Sequence, residues 1–348
     1  MISIPSVKAI PFFLKGEKFF FHKNLNTNFR YKIGNNIKNK KKSDSVMMHE
    51  NYIDTSSNWV KKITSTRLKS KNKLIRDLNR AGKGFLKTIR LPSNNEESYK
   101  FISFDKLFLM NFSEINITTQ PKISDQLDII QNDIWIFFVN GIYVRELSSV
   151  NKLPTGFYFG LFSELPESKQ KNILDVANKG ESGVNGGFFS ALNAACLEDI
   201  VVLLVPEDSN FKKNINIVFQ GEGASDNFYI NQKLVIISSK NSFSKIAQYH
   251  VGKNNSKYLD NTTTSLHLHE NSRIEYSFIN QVPESASQIT SIHVEIEKNA
   301  HFQISSAATG GFLSRLNLGI DINGINSSVK LNGITLANNE KKIGRAHV

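Results

Sequence analysis

Cysteine is almost absent from this chain of 348 residues, since Cys196 is the only one. A disulfide needs two cysteines and a thiolate metal cage needs several, so one chain on its own can form neither. Long hydrophobic runs are also missing. The longest purely apolar runs, Ile134 to Val139 and Ile200 to Val205, are far shorter than the ~20 residues that cross a bilayer. We therefore expect a soluble protein with no membrane partner.

Acidic residues are scarce in one part of the chain only. The formal net charge is +12. Residues 1–90 contain 21 Lys or Arg and 5 Asp or Glu, whereas the remainder contains 22 basic and 26 acidic residues. The folded part is therefore mildly acidic, and we expect no nucleic-acid partner.

The basic leader admits two interpretations. Residues 1–43 contain ten Lys or Arg and a single acid, Glu17. No apolar segment with a small-residue cleavage site follows the first basic residues, so a secretory signal fits poorly. Residues 1–50 are either an organelle transit peptide or a disordered basic tail. The lysine-rich run 38–42 lacks interleaved aromatic residues, which ranks a nuclear signal or nucleic-acid patch lower.

The middle of the chain shows helix and hairpin patterns. Apolar spacing from Trp59 to Leu78 predicts a helix, which Gly82 and Gly84 should end. Residues 133–147 predict a β-hairpin around Asn140-Gly141, a strong short-range turn signal. These patterns suggest a smaller α+β domain over residues 51–195.

A repeat begins after Pro206, which ends an apolar strand predicted at Ile200–Val205. Short alternating strands are separated by turns at Asn241, Asn271, Asn299 and Asn323-Gly324, at intervals of 30, 28 and 25 residues. Asparagine tolerates the left-handed backbone that such corners require. An antiparallel sandwich has similar turns, but here the units superpose by turn residue. We therefore predict a mainly β protein with a parallel β-helix (β-solenoid) over residues 196–342.

Superposing two of these turns brings ionisable side chains into one column. When Asn271 is placed on Asn299, two imidazoles stack against two carboxylates on the outward face of the strands. The residues are His267, His269, Glu295 and Glu297. Such a set can bind a divalent metal. The favoured alternative is a solvated face of complementary charges on adjacent rungs.

Other features that suggest chemistry are weaker. A lone Cys196 before a buried strand fits a small core residue better than a nucleophile. The glycine-rich segment 180–187 lacks the Gly-Lys-Ser/Thr ending of a phosphate-binding loop. A polysaccharide-cleaving solenoid needs carboxylates on neighbouring rungs, and Asp260, Glu275 and Asp321 do not superpose in this way. A solenoid enzyme or binding module acting on polysaccharide stays the alternative function.

Residues 299–318 resemble a known family most specifically. The stretch from Thr309 to Leu318 is similar to the Thr-Gly-Gly-x-Leu-Ser-Arg-x-Asn-Leu segment of SufD proteins, which belong to the SUF iron–sulfur cluster assembly machinery. Weaker matches occur in the same order at 91–107, at Val139-Asn140-Gly141 and in the Gly186–Ala195 helix. The residues that carry the motif are Asn193, Gly310, Gly311, Leu313, Ser314, Arg315 and Asn317. Arg315 either holds a partner's carboxylate or, as we favour, clamps the Gly310-Gly311 corner.

This resemblance implies a scaffold without chemistry of its own. SufB is the nearest rival, and the Leu192-Asn193-Ala194 helix favours SufD. The implied partners are SufB-like and SufC-like subunits, the latter an ATPase. An iron–sulfur cluster would be assembled by the complex, with no cofactor bound by this chain alone. SufD-type proteins of algae and plants work in plastids, which favours a transit peptide; a bacterial protein would be cytoplasmic.

The resemblance stops before the end of the family pattern. SufD proteins continue with more solenoid, a Ser-His-Gly-Ala stretch whose histidine is implicated in cluster formation, and a helical domain that docks SufC. His347 does not match that histidine. Our hypothesis is that the protein is truncated near residues 340–342 and that residues 343–348 are sequencing-adapter read-through. We expect such a piece to be poorly soluble alone and unable to support cluster assembly.

Overall fold

The computed structural model describes residues 58–65, 70–93, 96, 99–100, 102, 104–113, 121–223 and 227–337. The predicted leader and the predicted adapter-derived residues 343–348 lie outside this part. The domain boundary predicted after residue 195 stays a prediction. No helix among the described residues is both long and apolar enough to cross a membrane.

Five α-helical segments occur in the described residues: α1 (58–65), α2 (Lys73–Phe85), α3 (Asp105–Phe108), α4 (Glu167–Ala177) and α5 (Phe188–Ala195). The single helix predicted from Trp59 to Leu78 is wrong. Asn72 interrupts it, because its side chain accepts the backbone N–H of Leu74 at 2.9 Å and so caps a new helix.

Gly82 and Gly84 do not end α2, contrary to the prediction. The helix continues through both of them. Gly82 is instead a contact point, because a Cβ there would lie 2.6 Å from the backbone nitrogen of Ala195 in α5. The glycine therefore lets two helices approach closely. The spacing of apolar residues in the sequence contains no signal for such a contact.

The strands form two sheets. Their bounds are β1 Ile134–Val139, β2 Ile142–Val144, β3 Tyr158–Leu161, β4 Val201–Val205, β5 Asn210–Gly221, β6 Phe228–Ser238, β7 Phe243–Gly252, β8 Tyr258–Leu268, β9 Arg273–Gln281, β10 Ser287–Ile296, β11 His301–Ala308, β12 Leu313–Ile322 and β13 Ser328–Thr335. The first sheet has the order β13-β11-β9-β7-β5-β1-β2, and the second sheet has the order β12-β10-β8-β6-β4-β3.

From β4 onward, each strand pairs in parallel with the strand two places later in the chain. The chain therefore winds, giving one strand to each sheet per rung. The prediction of a parallel β-solenoid is confirmed, and the antiparallel sandwich is excluded. The predicted hairpin is also present: β1 and β2 pair antiparallel, with φ of 51° at Asn140 and 87° at Gly141.

The corners between β4 and β5, and at the same place in later rungs, adopt left-handed backbone conformations. Asn241, Asn271 and Asn299 have φ of 56°, 59° and 56°, as the repeat predicted. The next predicted corner, Asn323-Gly324, is wrong. Asn326 occupies that place with φ of 57°, and the carbonyl before it, of Ile325, accepts the Asn299 N–H at 2.9 Å.

The corner side chains form a ladder of hydrogen bonds along the solenoid. Asn241 donates to Asp208 at 2.8 Å, Asn271 donates to Asn241 at 3.0 Å, and Asn299 donates to Asn271 at 3.0 Å. Asp208 has φ of 56° and begins the ladder. Each side-chain amide thus donates a hydrogen bond to the corner side chain of the preceding rung, while its own residue adopts the left-handed corner conformation.

Inward-facing apolar side chains of both sheets fill the solenoid. The buried set includes Ile136, Phe138, Leu203, Ile217, Phe219, Leu234, Ile236, Leu266, Leu268, Ile292, Val294 and Ile304. The outer face of the second sheet is partly covered by helices. Ile75 of α2 and Val176 of α4 pack there with Val202 and Val235 of the sheet. Elsewhere on the outer face of the second sheet, side chains point outward, and no helix of the described residues lies over them.

Candidate functional site

The predicted column of imidazoles and carboxylates lies at the end of β8 and β10. Glu295 is the cross-rung partner of His267 in the parallel register. The flanking Leu266 and Leu268 point into the solenoid and are buried. Because side chains alternate along a strand, His267 and Glu295 point to the outer face of the second sheet. We call His267, His269, Glu295 and Glu297 the imidazole–carboxylate cluster.

Glu297 joins the two histidines. Its Oε1 lies 3.0 Å from Nε2 of His267 and 3.1 Å from Nδ1 of His269. The two rings stack with centroids 4.3 Å apart. The other oxygen of Glu297 accepts the backbone N–H of Glu270 at 3.1 Å. The carboxylate is therefore fixed from both sides.

Glu295 has a different partner. Lys179, which follows α4, places its Nζ 2.7 and 2.6 Å from the two carboxylate oxygens of Glu295. The Oε2 atom of Glu295 also lies 3.9 Å from Nδ1 of His267. Lys179 partly balances the charge of Glu295, and Glu297 is the carboxylate that contacts both imidazoles.

The surroundings set the protonation of these groups. Burial lowers the pKa of His267, and the charge of His269 acts in the same direction, against the opposing effects of Glu297 and Glu295. Burial alone would raise the pKa of Glu297, but the hydrogen bond from His267 and the nearby histidine charges hold that pKa below its ordinary value. The neutral imidazole of His267 and the ionised carboxylate of Glu297 are therefore favoured, and both are metal-ligating forms.

The donor atoms of three residues also converge. His267, His269 and Glu297 each offer one ligand atom, and these atoms all lie within 4.8 Å of one another. Glu295 stands beside the group and interacts with His267 through the far ring nitrogen.

The SufD-like motif residue Arg315 meets an aromatic residue from the N-terminal part of the chain. Its guanidinium carbon lies 4.4 Å from the centre of the Tyr99 ring. Burial lowers the pKa of Arg315 and raises that of Tyr99. The segment around Tyr99 and strand β12, which separately resemble the family, are thus in contact.

Gly310 and Gly311 form the corner between β11 and β12. Gly311 has φ of 92°, and its N–H donates to the carbonyl of Val282 at 3.0 Å. A side chain at Gly310 would overlap that same carbonyl. Both glycines therefore serve the close approach of two neighbouring corners.

The remaining motif residues of β12 contact the preceding rung. Ser314 Oγ accepts a hydrogen bond from Asn280 at 2.6 Å, and Asn317 donates to Ser291 Oγ at 3.1 Å. Leu313 is partly buried against the apolar cluster that contains α5. These contacts give the motif a packing role between rungs.

Asn193 fastens α5 to the second sheet. Its fully buried side-chain amide donates to the carbonyls of Gln232 and Asn261, both at 2.8 Å. Its Oδ1 accepts the hydroxyl of Thr263 at 3.0 Å. Both N–H donors and one acceptor position of the amide are therefore used, and the residue positions the helix.

The other sequence candidates do not form a shared site. Cys196 is buried in the apolar cluster beside α5. The glycine-rich segment begins with a short 3₁₀ helix, Gly180–Ser182, which packs on the second sheet. Its Glu181 lies 3.0 Å from Nδ1 of His293. This segment is therefore part of the helical cover.

The three carboxylates considered for polysaccharide chemistry occupy different strands. Asp260 of β8 lies inside the solenoid, 2.5 Å from Nδ1 of His250. Glu275 of β9 pairs with Arg273 on the outer face at 2.6 Å. Asp321 of β12 lies 3.3 Å from Nε2 of His293. The arrangement brings no two of them together for acid–base work.

Sequence reasoning missed a buried lysine. Lys233 of β6 is 2% exposed and donates to the carbonyl of Ser182 at 2.6 Å and to the hydroxyl of Thr263 at 3.1 Å. Burial lowers its pKa to about 7. Alternation along β6 directs Lys233 to the outer face of the second sheet, and the sequence contains no signal that the Gly180–Ser182 turn covers it.

The fold and the packing of these segments define a two-sheet parallel β-solenoid with a partial helical cover. Two models of one protein family match its sequence. The SufBD protein N-terminal region matches residues 47–217, and the SufBD core domain of SUF-system FeS cluster assembly matches residues 218–346. The chain belongs to this SufBD family.

Two curated relatives are similar across most of this chain. Protein ABCI7, chloroplastic, of Arabidopsis thaliana is 23% identical over 261 residues, covering 72% of this chain and 54% of the relative. The iron–sulfur cluster assembly SufBD family protein slr0076 of Synechocystis sp. is 21% identical over 248 residues, covering 67% and 53%. The chain thus spans about half the length of these relatives.

Proposed function

We propose that this chain is a SufD-type subunit that acts as a non-catalytic scaffold in iron–sulfur cluster assembly. The observation that carries the proposal is the collinear match of both SufBD regions along this chain. Three SufD-like segments support the finer assignment, because they pack together on the second sheet. They are the Tyr99 segment, the Asn193 helix and the strand that contains Arg315.

The proposed partners are a SufB-like subunit and a SufC-like ATPase. The match to the SufBD core domain of SUF-system FeS cluster assembly supports partners from the same system. A parallel β-solenoid that only binds partner subunits needs no catalytic group of its own.

Co-purification tests this assignment. The tagged protein is co-expressed with the SufB-like and SufC-like proteins of the same organism. We expect it to retain both partners after a high-salt wash. Loss of both partners, together with turnover of acidic glycans by the same preparation, would favour the polysaccharide alternative.

We also propose that this chain alone holds no iron–sulfur cluster and that the assembled complex forms it. The only cysteine, Cys196, is buried in an apolar cluster, whereas clusters are held mainly by several cysteine thiolates. Anaerobic incubation with iron and sulfide should give no cluster absorption with this chain. A stable cluster spectrum at one cluster per chain would contradict the proposal.

A plastid location is proposed from the leader and from a relative. Residues 1–43 are basic and nearly free of acids, and the Arabidopsis relative is described as chloroplastic. A fluorescent protein that carries residues 1–50 should enter plastids in an algal or plant cell. Uniform cytoplasmic fluorescence would favour the bacterial-type alternative.

A further inference from the structure

The imidazole–carboxylate cluster has the donor geometry of a small metal site. In a tetrahedral zinc site with bonds of about 2.0–2.1 Å, neighbouring ligand atoms lie about 3.3 Å apart. The two imidazole nitrogens lie 3.0 and 3.1 Å from Glu297 Oε1. All three donor atoms lie within 4.8 Å of one another, a spacing from which they can converge on one ion.

The surrounding structure holds these donors in place before any ion arrives. His267 is on a strand whose flanking leucines are buried, and the corner after His269 is fixed by the Asn271 ladder. Glu297 is held by the Glu270 N–H. A site whose ligands are already oriented loses less freedom on binding.

A second carboxylate lies behind one imidazole. With Nε2 of His267 turned to an ion, its proton lies on Nδ1, which faces Glu295 at 3.9 Å. Lys179 holds that carboxylate through both oxygens. A carboxylate behind a ligating histidine is a common device that fixes the ring and raises its basicity.

The lysines around the cluster are held by other carboxylates. Lys179 pairs with Glu295, and Lys298 lies 3.0 Å from Glu270. No lysine of the described residues therefore neutralises the charge of Glu297. A bound cation would replace the hydrogen bonds that Glu297 makes with the two imidazoles. Two imidazoles and one carboxylate favour divalent ions such as Zn²⁺ or Fe²⁺ over Mg²⁺, which prefers oxygen ligands.

We propose that His267, His269 and Glu297 bind one divalent transition-metal ion on the outer surface of the solenoid. Water fills the remaining coordination positions. The site is independent of the scaffold function, because its ligands all come from this chain and no partner subunit is needed.

Metal titration of the chelator-treated chain tests the proposal. Zn²⁺ and, under anaerobic conditions, Fe²⁺ are added separately in competition with a chromophoric chelator, and Mg²⁺ serves as the third ion. We expect one saturable site for Zn²⁺, a weaker one for Fe²⁺ and none for Mg²⁺. Absence of saturable, one-to-one binding of both transition ions in the parent protein overturns the proposal.

Two neighbouring glutamates provide matched variants. Glu297→Gln removes a ligand oxygen with almost no change of shape, and it should weaken Zn²⁺ binding by about 100-fold, whereas Glu295→Gln should weaken it by about 10-fold. His267→Ala should also abolish tight binding. His301→Ala, on the exposed face of β11, should leave the affinity unchanged.

Folding is checked separately by circular dichroism and thermal melting. If His267→Ala fails to fold, the near-isosteric Glu297→Gln and the titration of the parent protein still decide. Equal affinity of Glu297→Gln and the parent overturns the assignment of ligands. In the parent, bound Zn²⁺ should raise the melting temperature, and this rise should be lost in Glu297→Gln.

Discussion

Arg315 stacks on Tyr99, with the guanidinium carbon 4.4 Å from the ring centre. The contact joins β12, at the far end of the solenoid sequence, to a segment that precedes the first strand. Such a contact contributes about 0.5–2 kcal/mol, the larger value when it is desolvated. It gives the arginine of the motif a packing role within this chain.

Arg315→Ala is expected to lower the free energy of unfolding by about 1–2 kcal/mol, because the stacked cation and its aliphatic stem are both lost. Arg315→Lys should recover only part of the loss, since an ammonium lacks the planar face. Arg273→Ala is a matched control, as its guanidinium lies over Phe243 at 5.6 Å on an exposed surface. Unfolding in guanidinium chloride measures the stability of all three variants. Equal losses for Arg315→Ala and Arg273→Ala would contradict this account.

Gly82 and Gly84 form a matched pair on α2. Gly82→Ala places a methyl group 2.6–2.7 Å from backbone atoms of Ala195 and Ala191, so we expect a loss of about 1–3 kcal/mol. Gly84→Ala meets nothing within 4 Å and should stabilise the helix by about 0.5–1 kcal/mol. Thermal melting should show shifts of opposite sign. Shifts of the same sign would show that α2 and α5 do not pack in this way.

The asparagine ladder can be tested at Asn271. Asn271→Ala removes two ladder hydrogen bonds and leaves alanine at a φ of 59°, so we expect a loss of about 2–4 kcal/mol. Asn271→Gly removes the same bonds without backbone strain and should cost about 1–2 kcal/mol. Chemical denaturation separates the two contributions. A glycine variant that is less stable than the alanine variant would refute the left-handed corner.

Lys233 makes stability depend on pH. Its pKa falls from 10.5 in the unfolded chain to about 7 in the folded protein. Between these values the unfolded chain binds a proton that the folded protein does not, so stability should rise with pH by up to about 1.4 kcal/mol per unit. Below pH 7 both states are protonated and this contribution is constant.

The comparison for this effect is Lys233→Met, which removes the titrating group and keeps an unbranched side chain. Denaturation curves at pH 7.5, 8.5 and 9.5 should show the parent gaining stability relative to the variant. Subtracting the variant cancels the titration of other groups. A difference that does not change with pH would mean that Lys233 is protonated in the folded protein.

The sequence predicts the solenoid well because its corners carry a chemical signal. Asn241, Asn271 and Asn299 mark left-handed positions, and their superposition correctly aligned His267 with Glu295. The next corner was misplaced because Asn323-Gly324 is a stronger turn signal than Asn326. The local turn preference favours Asn323-Gly324, but the number of residues in a rung puts the left-handed corner at Asn326.

Contacts between distant segments could not be predicted in the same way. Tyr99 and Arg315 are far apart in sequence, and no periodicity links them. Lys179 reaches Glu295, and Ser182 covers Lys233, only because the segment after α4 folds over the second sheet. The donor set of the imidazole–carboxylate cluster was accessible from the repeat, whereas the groups that surround it depend on this cover.

The most direct test of the scaffold assignment is the mass of the complex formed under anaerobic conditions. Size-exclusion chromatography with light scattering is applied to this protein mixed with the SufB-like and SufC-like proteins of the same organism. The account predicts a single peak whose mass requires all three proteins, and cluster formation that depends on this subunit. Separate elution of the subunit, with cluster formation unchanged in its absence, would contradict the account.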